Sequence, residues 1–134
     1  LPAEIAANPD LAARHEEALR ALDLKEKSWA QRLGEGWTPE RASAKERGAL
    51  TSLCALYLLH CSARRGGNSV AKFHLGNGAK LYRINWAANL SKKGLRESAG
   101  LMVNYLYDLD RVEENHERFV HGEVIHSRTV SRIN

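Results

Sequence analysis

An Asn77-Gly78 pair between two runs of alternating apolar and polar residues constrains the fold more than any other feature of this chain. A type I′ turn needs two residues with positive φ, and Asn-Gly is among its commonest sequences. The pattern predicts a β-hairpin whose strands cover residues 70–75 and 79–86. Because side chains alternate along a strand, Phe73 and Leu75 would face the core and His74 the opposite side, where a ligand can reach it.

Helical patterns dominate the residues before this hairpin. Asn8-Pro9 has the sequence of an N-cap followed by proline at the first helical position. A second long helix begins either at Thr38-Pro39 or at the capping box formed by Ser43 and Glu46, and Gly66-Gly67 ends it. The predicted apolar stripe of that helix is Leu50, Leu53, Cys54, Tyr57, Leu58 and Cys61.

After the hairpin, period-2 alternation predicts a third strand over residues 101–109, with Val103 and Tyr105 on one face. Asp110 with Glu113 predicts the cap of a last helix. The fold class is therefore α+β, with a helical segment at residues 1–67 and a hairpin, strand and helix at residues 68–134.

Composition limits the class of protein without naming a ligand. With 134 residues, of which 43% are hydrophobic, the chain is one domain or part of one. The formal charge of +4 permits a polyanionic partner, such as coenzyme A or nucleic acid. No apolar run is long enough to cross a bilayer and the first residues lack a signal-peptide layout, so a cytoplasmic setting and no membrane partner are expected.

The two cysteines predict neither a disulfide nor a metal site. Cys54 and Cys61 are seven residues apart on one helix, which separates their backbones by about 10 Å. That distance is too long for a disulfide, so two buried thiols are expected. With His60 they have no finger-like spacing, and no metal is predicted.

Several consecutive motifs carry a family resemblance. They are Phe73–Ala79, Arg83–Trp86, Ser91–Gly94 and Ser98–Tyr107. In this order they resemble the C-terminal catalytic domain of malonyl-CoA decarboxylases, most closely from about residue 70 to 117. The resemblance implies a catalytic domain of the GNAT acetyltransferase type with a mixed sheet and covering helices. This chain then corresponds to the later part of that domain and is a fragment of a longer enzyme.

The resemblance implies a carboxy-lyase that converts malonyl-CoA to acetyl-CoA and carbon dioxide in fatty-acid metabolism. No cofactor is expected, because the thioester of the substrate is itself the electron sink. The family also suggests a homo-oligomer.

The resemblance assigns two catalytic residues. His74 matches the histidine that the family uses with a serine as a catalytic dyad. Tyr107 matches the second tyrosine of the family's Asn-Tyr-x-Tyr segment, near the active site. The dyad serine and the loop that holds the coenzyme pyrophosphate are not recognisable here, and Ser69 stands where the family usually has proline. The rest of the enzyme is therefore expected to supply both.

Further polar residues near these motifs are candidates for substrate binding. Lys72 and Arg83 have charges suited to the phosphates of coenzyme A, although a solvated surface also explains them. Asn85 and Asn104 either bond to backbone or line the pocket. Asn77 is a candidate as well, but its place in the turn suffices to explain it.

Other functions stay open at this point. The same fold supports acyl transfer from coenzyme A, and a fragment or remnant can be inactive. A nucleic-acid-binding module would use aromatic residues beside basic ones, as Tyr82, Trp86 and Lys80 are on one strand. The stripe on residues 50–61 would serve a helical interaction module as well as a domain core.

Overall fold

The computed structural model describes residues 1–64 and 66–133, and within these ranges the chain is an α+β protein. The helices precede and flank a small antiparallel sheet. Their bounds are α1 Ala3–Ala6, α2 Pro9–Ala21, α3 Trp29–Gly34, α4 Ala44–Cys61, α5 Ser69–Gly76, α6 Lys92–Ser98, α7 Val112–Val120 and α8 Arg128–Ser131. The strands are β1 Lys80–Asn85 and β2 Met102–Leu106.

Local capping decides where the first long helices begin. The Asn8 side chain accepts a hydrogen bond from the Asp10 amide at 3.0 Å, and Pro9 opens α2, as predicted. The capping box of Ser43 and Glu46 starts α4, which settles the alternative left open by the sequence. The proline after Thr38 begins only a short 3-10 turn.

The predicted hairpin is wrong. Residues 69–76 form helix α5, and only the second predicted strand exists, as β1. Phe73 and Leu75 therefore do not share a face: Leu75 is 1% exposed and Phe73 is 56% exposed. His74 lies on a helix instead of a strand.

Capping interactions hold both ends of the helix formed by residues 69–76. The Asn68 side chain accepts a hydrogen bond from the Ala71 amide at 3.0 Å and caps the N-terminus of α5. At the other end, the amide of Gly78 bonds to Leu75 and that of Ala79 to His74, which is the Schellman arrangement. Of the pair Asn77-Gly78, only the glycine has a positive φ, at 91°. The pair ends a helix and does not turn a hairpin.

The third predicted strand is confirmed as β2, and it is the partner of β1. The two strands are antiparallel, and an irregularity between Leu81 and Arg83 leaves Tyr82 out of the register. Val103 and Tyr105 face the interior, whereas the even-numbered side chains of β2 are exposed. On the edge of β1 opposite to β2, Leu81 forms an isolated parallel bridge with His126.

The core joins the two segments that the sequence divides at residue 67. One cluster packs Leu22, which directly follows α2, and Leu50 of α4 against Ala99 and Leu101, just before β2. A second cluster places Leu75 and Leu81 beside the C-terminal residues Val124 and Val130. The helices and the sheet therefore depend on each other for burial.

Two smaller predictions fail. Tyr57, expected in the buried stripe of α4, is 39% exposed, because α4 buries residues on several sides and turns Tyr57 outward. Asp110 does not cap the last helix: α7 begins after Arg111, with no side-chain cap. None of the helices in the described ranges has the length and hydropathy to span a membrane.

Candidate active site

His74 lies in the last turn of α5, where the helix approaches the start of β1. The Schellman bonds that end α5 use the His74 carbonyl, so the backbone of this residue is held in place. The side chain is half-buried. The imidazole is thus anchored on one side and reachable from the other.

Tyr107 contacts this histidine directly. Its Oη lies 2.7 Å from His74 Nδ1, and the two rings are edge to face, with centroids 5.9 Å apart. Tyr107 directly follows β2, so the sheet carries it to the end of α5. Which atom donates depends on the tautomer of His74.

A third ring, which the sequence did not single out as a site residue, completes the group. Tyr105 stacks on His74, with centroids 4.5 Å apart and planes inclined by 19°. Tyr105 and Tyr107 are two residues apart in and beside a strand, and this spacing puts both on the same face. Strand alternation was therefore the signal that could have identified Tyr105 once Tyr107 was proposed.

Burial distinguishes Tyr105 chemically. Burial, with a smaller contribution from Cys54, raises the pKa of the Tyr105 phenol to about 12. Burial also raises the pKa of Cys54 to about 11. Both groups stay protonated at neutral pH, so the interior side of the site carries no ionised group from either residue.

Asn85 and Asn104 lie on the face of the sheet opposite to Tyr105. The Asn85 amide donates a hydrogen bond to the Asn104 side chain, and Arg83 pairs with Asn104 across the strands. Successive side chains of β2 alternate in direction, so Asn104 is turned away from the face of Tyr105. The structure brings these three candidates together but not with His74.

The two remaining candidates lie on or beside α5. Asn77 donates from its side-chain amide to the Phe73 carbonyl at 2.6 Å and thereby helps to close the helix. Lys72 is half-buried, and its position two residues before His74 turns it by about 200° around the helix. Lys72 and His74 therefore leave different sides of α5.

A cleft runs beside this group. It has a volume of about 860 Å³ and follows α4 and β2, with Leu53, Cys54, Val103 and Tyr105 among its lining residues. Tyr105 is also the residue that stacks on His74. It is therefore the point at which the cleft and the His74 group meet.

Other polar residues of the matching motifs have structural partners. Ser91 caps α6 by accepting a hydrogen bond from the Gly94 amide at 3.0 Å, and the Ser98 hydroxyl donates to backbone carbonyls. The aromatic rings considered for nucleic acid are covered by cations, Arg47 over Trp86 and Lys80 over Tyr82. In the described ranges, no three His, Cys, Asp or Glu side chains form a metal-binding group.

Comparison with known proteins agrees with these motifs. A family model described as the malonyl-CoA decarboxylase C-terminal domain matches residues 3–133. The chain belongs to the malonyl-CoA decarboxylase family. The mitochondrial malonyl-CoA decarboxylase of Rattus norvegicus is 44% identical over 101 residues, which are 74% of this chain and 19% of the relative. That of Mus musculus is 48% identical over 84 residues, 61% of this chain and 17% of the relative.

Solved structures of malonyl-CoA decarboxylases share the fold. The structure from Cupriavidus metallidurans has a TM-score of 0.70 at 32% identity. The alignment covers 89% of this chain and 31% of the Cupriavidus metallidurans chain. The structure from Agrobacterium vitis has a TM-score of 0.63 at 33% identity, and the alignment covers 94% of this chain and 28% of the Agrobacterium vitis chain. The chain thus spans about a fifth of the curated relatives and less than a third of these structures.

Proposed function

We propose that this chain forms one side of the active site of a malonyl-CoA decarboxylase, which releases carbon dioxide from malonyl-CoA. The observation that carries the proposal is the 2.7 Å contact between His74 and Tyr107 inside the part of the chain that matches the family model. Two residues 33 positions apart, both implied by the resemblance, meet at hydrogen-bond distance.

The chemistry explains what such a site must provide. Loss of carbon dioxide from a malonyl thioester leaves an enolate, whose negative charge must be stabilised by hydrogen-bond donors. The α-carbon then needs a proton, which an imidazole near neutral pH can supply directly or through a hydroxyl. The thioester accepts the electron pair, so the proposed reaction uses no cofactor.

The hydrogen bond to Tyr107 leaves the Nε2 atom of His74 available for a role in proton transfer. When the Nδ1–H of His74 donates to Tyr107 Oη, Nε2 is left as a proton acceptor. In this tautomer Nε2 can take up from water the one proton that the reaction consumes and pass it through a serine hydroxyl to the α-carbon. We propose this arrangement, with the serine supplied by a part of the enzyme outside this chain, as the loop for the coenzyme phosphates would be.

We propose that residues on two surfaces bind the substrate. Lys72 and Arg83 have side-chain charges suited to the phosphates of coenzyme A. Asn77, Asn85 and Asn104 offer amides to the polar parts of the substrate. The Asn85–Asn104 hydrogen bond on the outer sheet face favours those two acting as one unit.

The rest of the enzyme is proposed to complete the fold. A two-stranded sheet is seldom stable alone, and β2 has exposed apolar residues such as Met102 and Leu106. These features support further strands of a GNAT-like sheet, with residues 1–67 as its helical segment and 68–134 as its strand-containing segment. A homo-oligomer in the cytoplasm is proposed for the whole protein, although the two curated relatives named above are described as mitochondrial.

The test is the release of carbon dioxide from malonyl-CoA by the full-length protein that carries this segment, compared with its His74→Ala variant. Release by the wild type, with a collapse of turnover in a variant that still binds coenzyme A, supports the proposal. A wild type that instead transfers acetyl groups from acetyl-CoA would reassign the activity. Affinity for RNA or DNA that falls steeply with salt would favour the nucleic-acid alternative.

A further inference from the structure

The hydrogen bond to Tyr107 does not by itself fix the orientation of the His74 ring. A hydrogen bond at Nδ1 tolerates a range of angles, so the ring can still tilt by small rotations about the Cα–Cβ and Cβ–Cγ bonds of His74. A catalytic imidazole must present its second nitrogen, Nε2, within a narrow range of angles. A second contact, to the plane of the ring, is therefore required.

Tyr105 makes this second contact. Its ring lies nearly parallel to the imidazole, at 19° and with a centroid distance of 4.5 Å. Stacking of two aromatic rings restrains the plane of each, because the favourable contact is lost when one ring tilts away from the other. Phe73 also stacks on His74, at 5.2 Å, but it is 56% exposed and precedes His74 on the same helix.

Tyr105 is itself firmly placed. It pairs with Leu81 in the sheet and packs against the buried cluster that contains Leu81 and Ala71. The rise of its pKa to about 12 through burial agrees with a phenol held away from water. The ring that stacks on His74 is thus held by the sheet and the buried cluster, whereas Phe73 belongs to the same helix as His74 and is mostly exposed.

We propose that Tyr105 is a positioning residue, which sets the plane of the His74 imidazole so that Nε2 faces the reacting groups. The inference rests on the proposed role of His74 in decarboxylation. Tyr105 acts through its ring, so its hydroxyl is dispensable for this role.

The experiment is a double-mutant cycle in the full-length enzyme, with kcat and KM for malonyl-CoA as the readouts. Tyr105→Leu removes the ring but keeps an apolar side chain, and we expect a fall in kcat of about 10- to 100-fold with little change in KM. Tyr105→Phe keeps the ring and is expected to retain kcat within about twofold. Tyr82→Leu, at an exposed tyrosine on β1, is the matched control.

Combination with His74→Ala separates positioning from a structural role. If Tyr105 acts through His74, His74→Ala/Tyr105→Leu is no slower than His74→Ala alone. Multiplied losses, or a Tyr105→Phe variant as slow as Tyr105→Leu, would overturn the inference and leave the proposed function intact. A His74→Ala enzyme with normal turnover would remove the proposed function first, and the positioning role with it. If Tyr105→Leu does not fold, Tyr105→Met takes its place in the cycle.

Discussion

Two histidine–tyrosine pairs joined by a hydrogen bond occur among the described residues, and their local geometry is almost the same. His15 of α2 and Tyr57 of α4 lie 3.0 Å apart at Nε2 and Oη, with rings edge to face at 62°. His74 and Tyr107 lie 2.7 Å apart, with rings at 65°. The centroid distances are 5.8 Å and 5.9 Å. Neither distance nor angle marks one pair as catalytic.

The surroundings of the two pairs differ. The His15 pair joins two helices, whereas the His74 pair joins the end of a helix to the end of a strand and has Tyr105 stacked on the imidazole. The two pairs also use different nitrogens, Nε2 for His15 and Nδ1 for His74. With Nδ1 engaged, His74 leaves Nε2, the nitrogen farther from the backbone, for a partner. The stacked Tyr105 ring and the available Nε2 atom are therefore the features that make the His74 pair, and not the His15 pair, a candidate site.

The largest expected difference is in turnover. His74→Ala in the full-length protein should lower kcat for malonyl-CoA by about 10²- to 10⁴-fold, which is the usual contribution of a general acid or base. The matched His15→Ala variant should leave kcat near that of the wild type, because that pair lies between two helices. Equal losses in the two variants would mean that the pairs do not differ in function.

The turn that ends α5 and holds His74 in place can be tested by substitution of Gly78. Gly78 has φ of +91°, and a Cβ there would overlap the Val112 carbonyl, so Gly78→Ala should destabilise the fold by at least about 2 kcal/mol. Gly122 has φ of +88°, and apart from its own two chain neighbours no described residue has a heavy atom within 4 Å of the point that a Cβ would occupy. Gly122→Ala should therefore cost only about 1 kcal/mol. Thermal unfolding of the full-length variants measures both. A smaller loss of melting temperature in Gly78→Ala than in Gly122→Ala would contradict this account.

The hydroxyls of the two pairs provide a finer comparison. Tyr107→Phe leaves His74 Nδ1 without its partner and should lower kcat by about tenfold, since a hydrogen bond contributes about 1 kcal/mol and its loss leaves the imidazole less well oriented. Tyr57→Phe removes the corresponding hydroxyl beside His15 and should not change kcat. Steady-state kinetics of the two full-length variants, side by side, provides the check. Normal turnover of Tyr107→Phe would restrict the site to His74 and the stacked ring.

The smallest expected effect is at high pH. The Tyr105 pKa is raised from 10.0 to about 12 by burial, so the folded state retains this proton longer than the unfolded state does. The stabilisation is present below pH 10 and is lost as the pH rises from 10 to 12. Tyr105→Phe should therefore flatten the alkaline fall in melting temperature. Burial also raises the Tyr57 pKa, and Tyr57→Phe should flatten the curve less, because only the Tyr105 shift is large. The reverse order would count against this ranking.

Much of the fold follows from local sequence. Asn8-Pro9 starts a helix where predicted, and the Ser43–Glu46 box is one of the two starts that the sequence offered for α4, because capping is an interaction between residues a few positions apart. The alternation in β2 was sufficient to assign its two faces. Asn77-Gly78 misled the prediction because the same pair suits a tight hairpin and the end of a helix, and the short run before it fits either period.

The candidate site was predictable only in part. The resemblance named His74 and Tyr107, and they are in contact. It did not name Tyr105. The substrate-binding candidates Asn85, Asn104 and Arg83 lie on the face of the sheet opposite to Tyr105. Which strand face a residue occupies relative to a helix far away in sequence depends on the register of β1 with β2.

The sequence by itself determined the family, the α+β class and the start of α2, and it singled out His74 and Tyr107 as candidates, because these depend on motifs and neighbouring residues. Only the tertiary structure decided that residues 69–76 are a helix, that β1 pairs with β2, and that Tyr105 lies under His74. These three features depend on long-range burial. The same short segment can satisfy its local preferences in more than one way, and the contacts of Leu75 and Leu81 in a shared core select one of them.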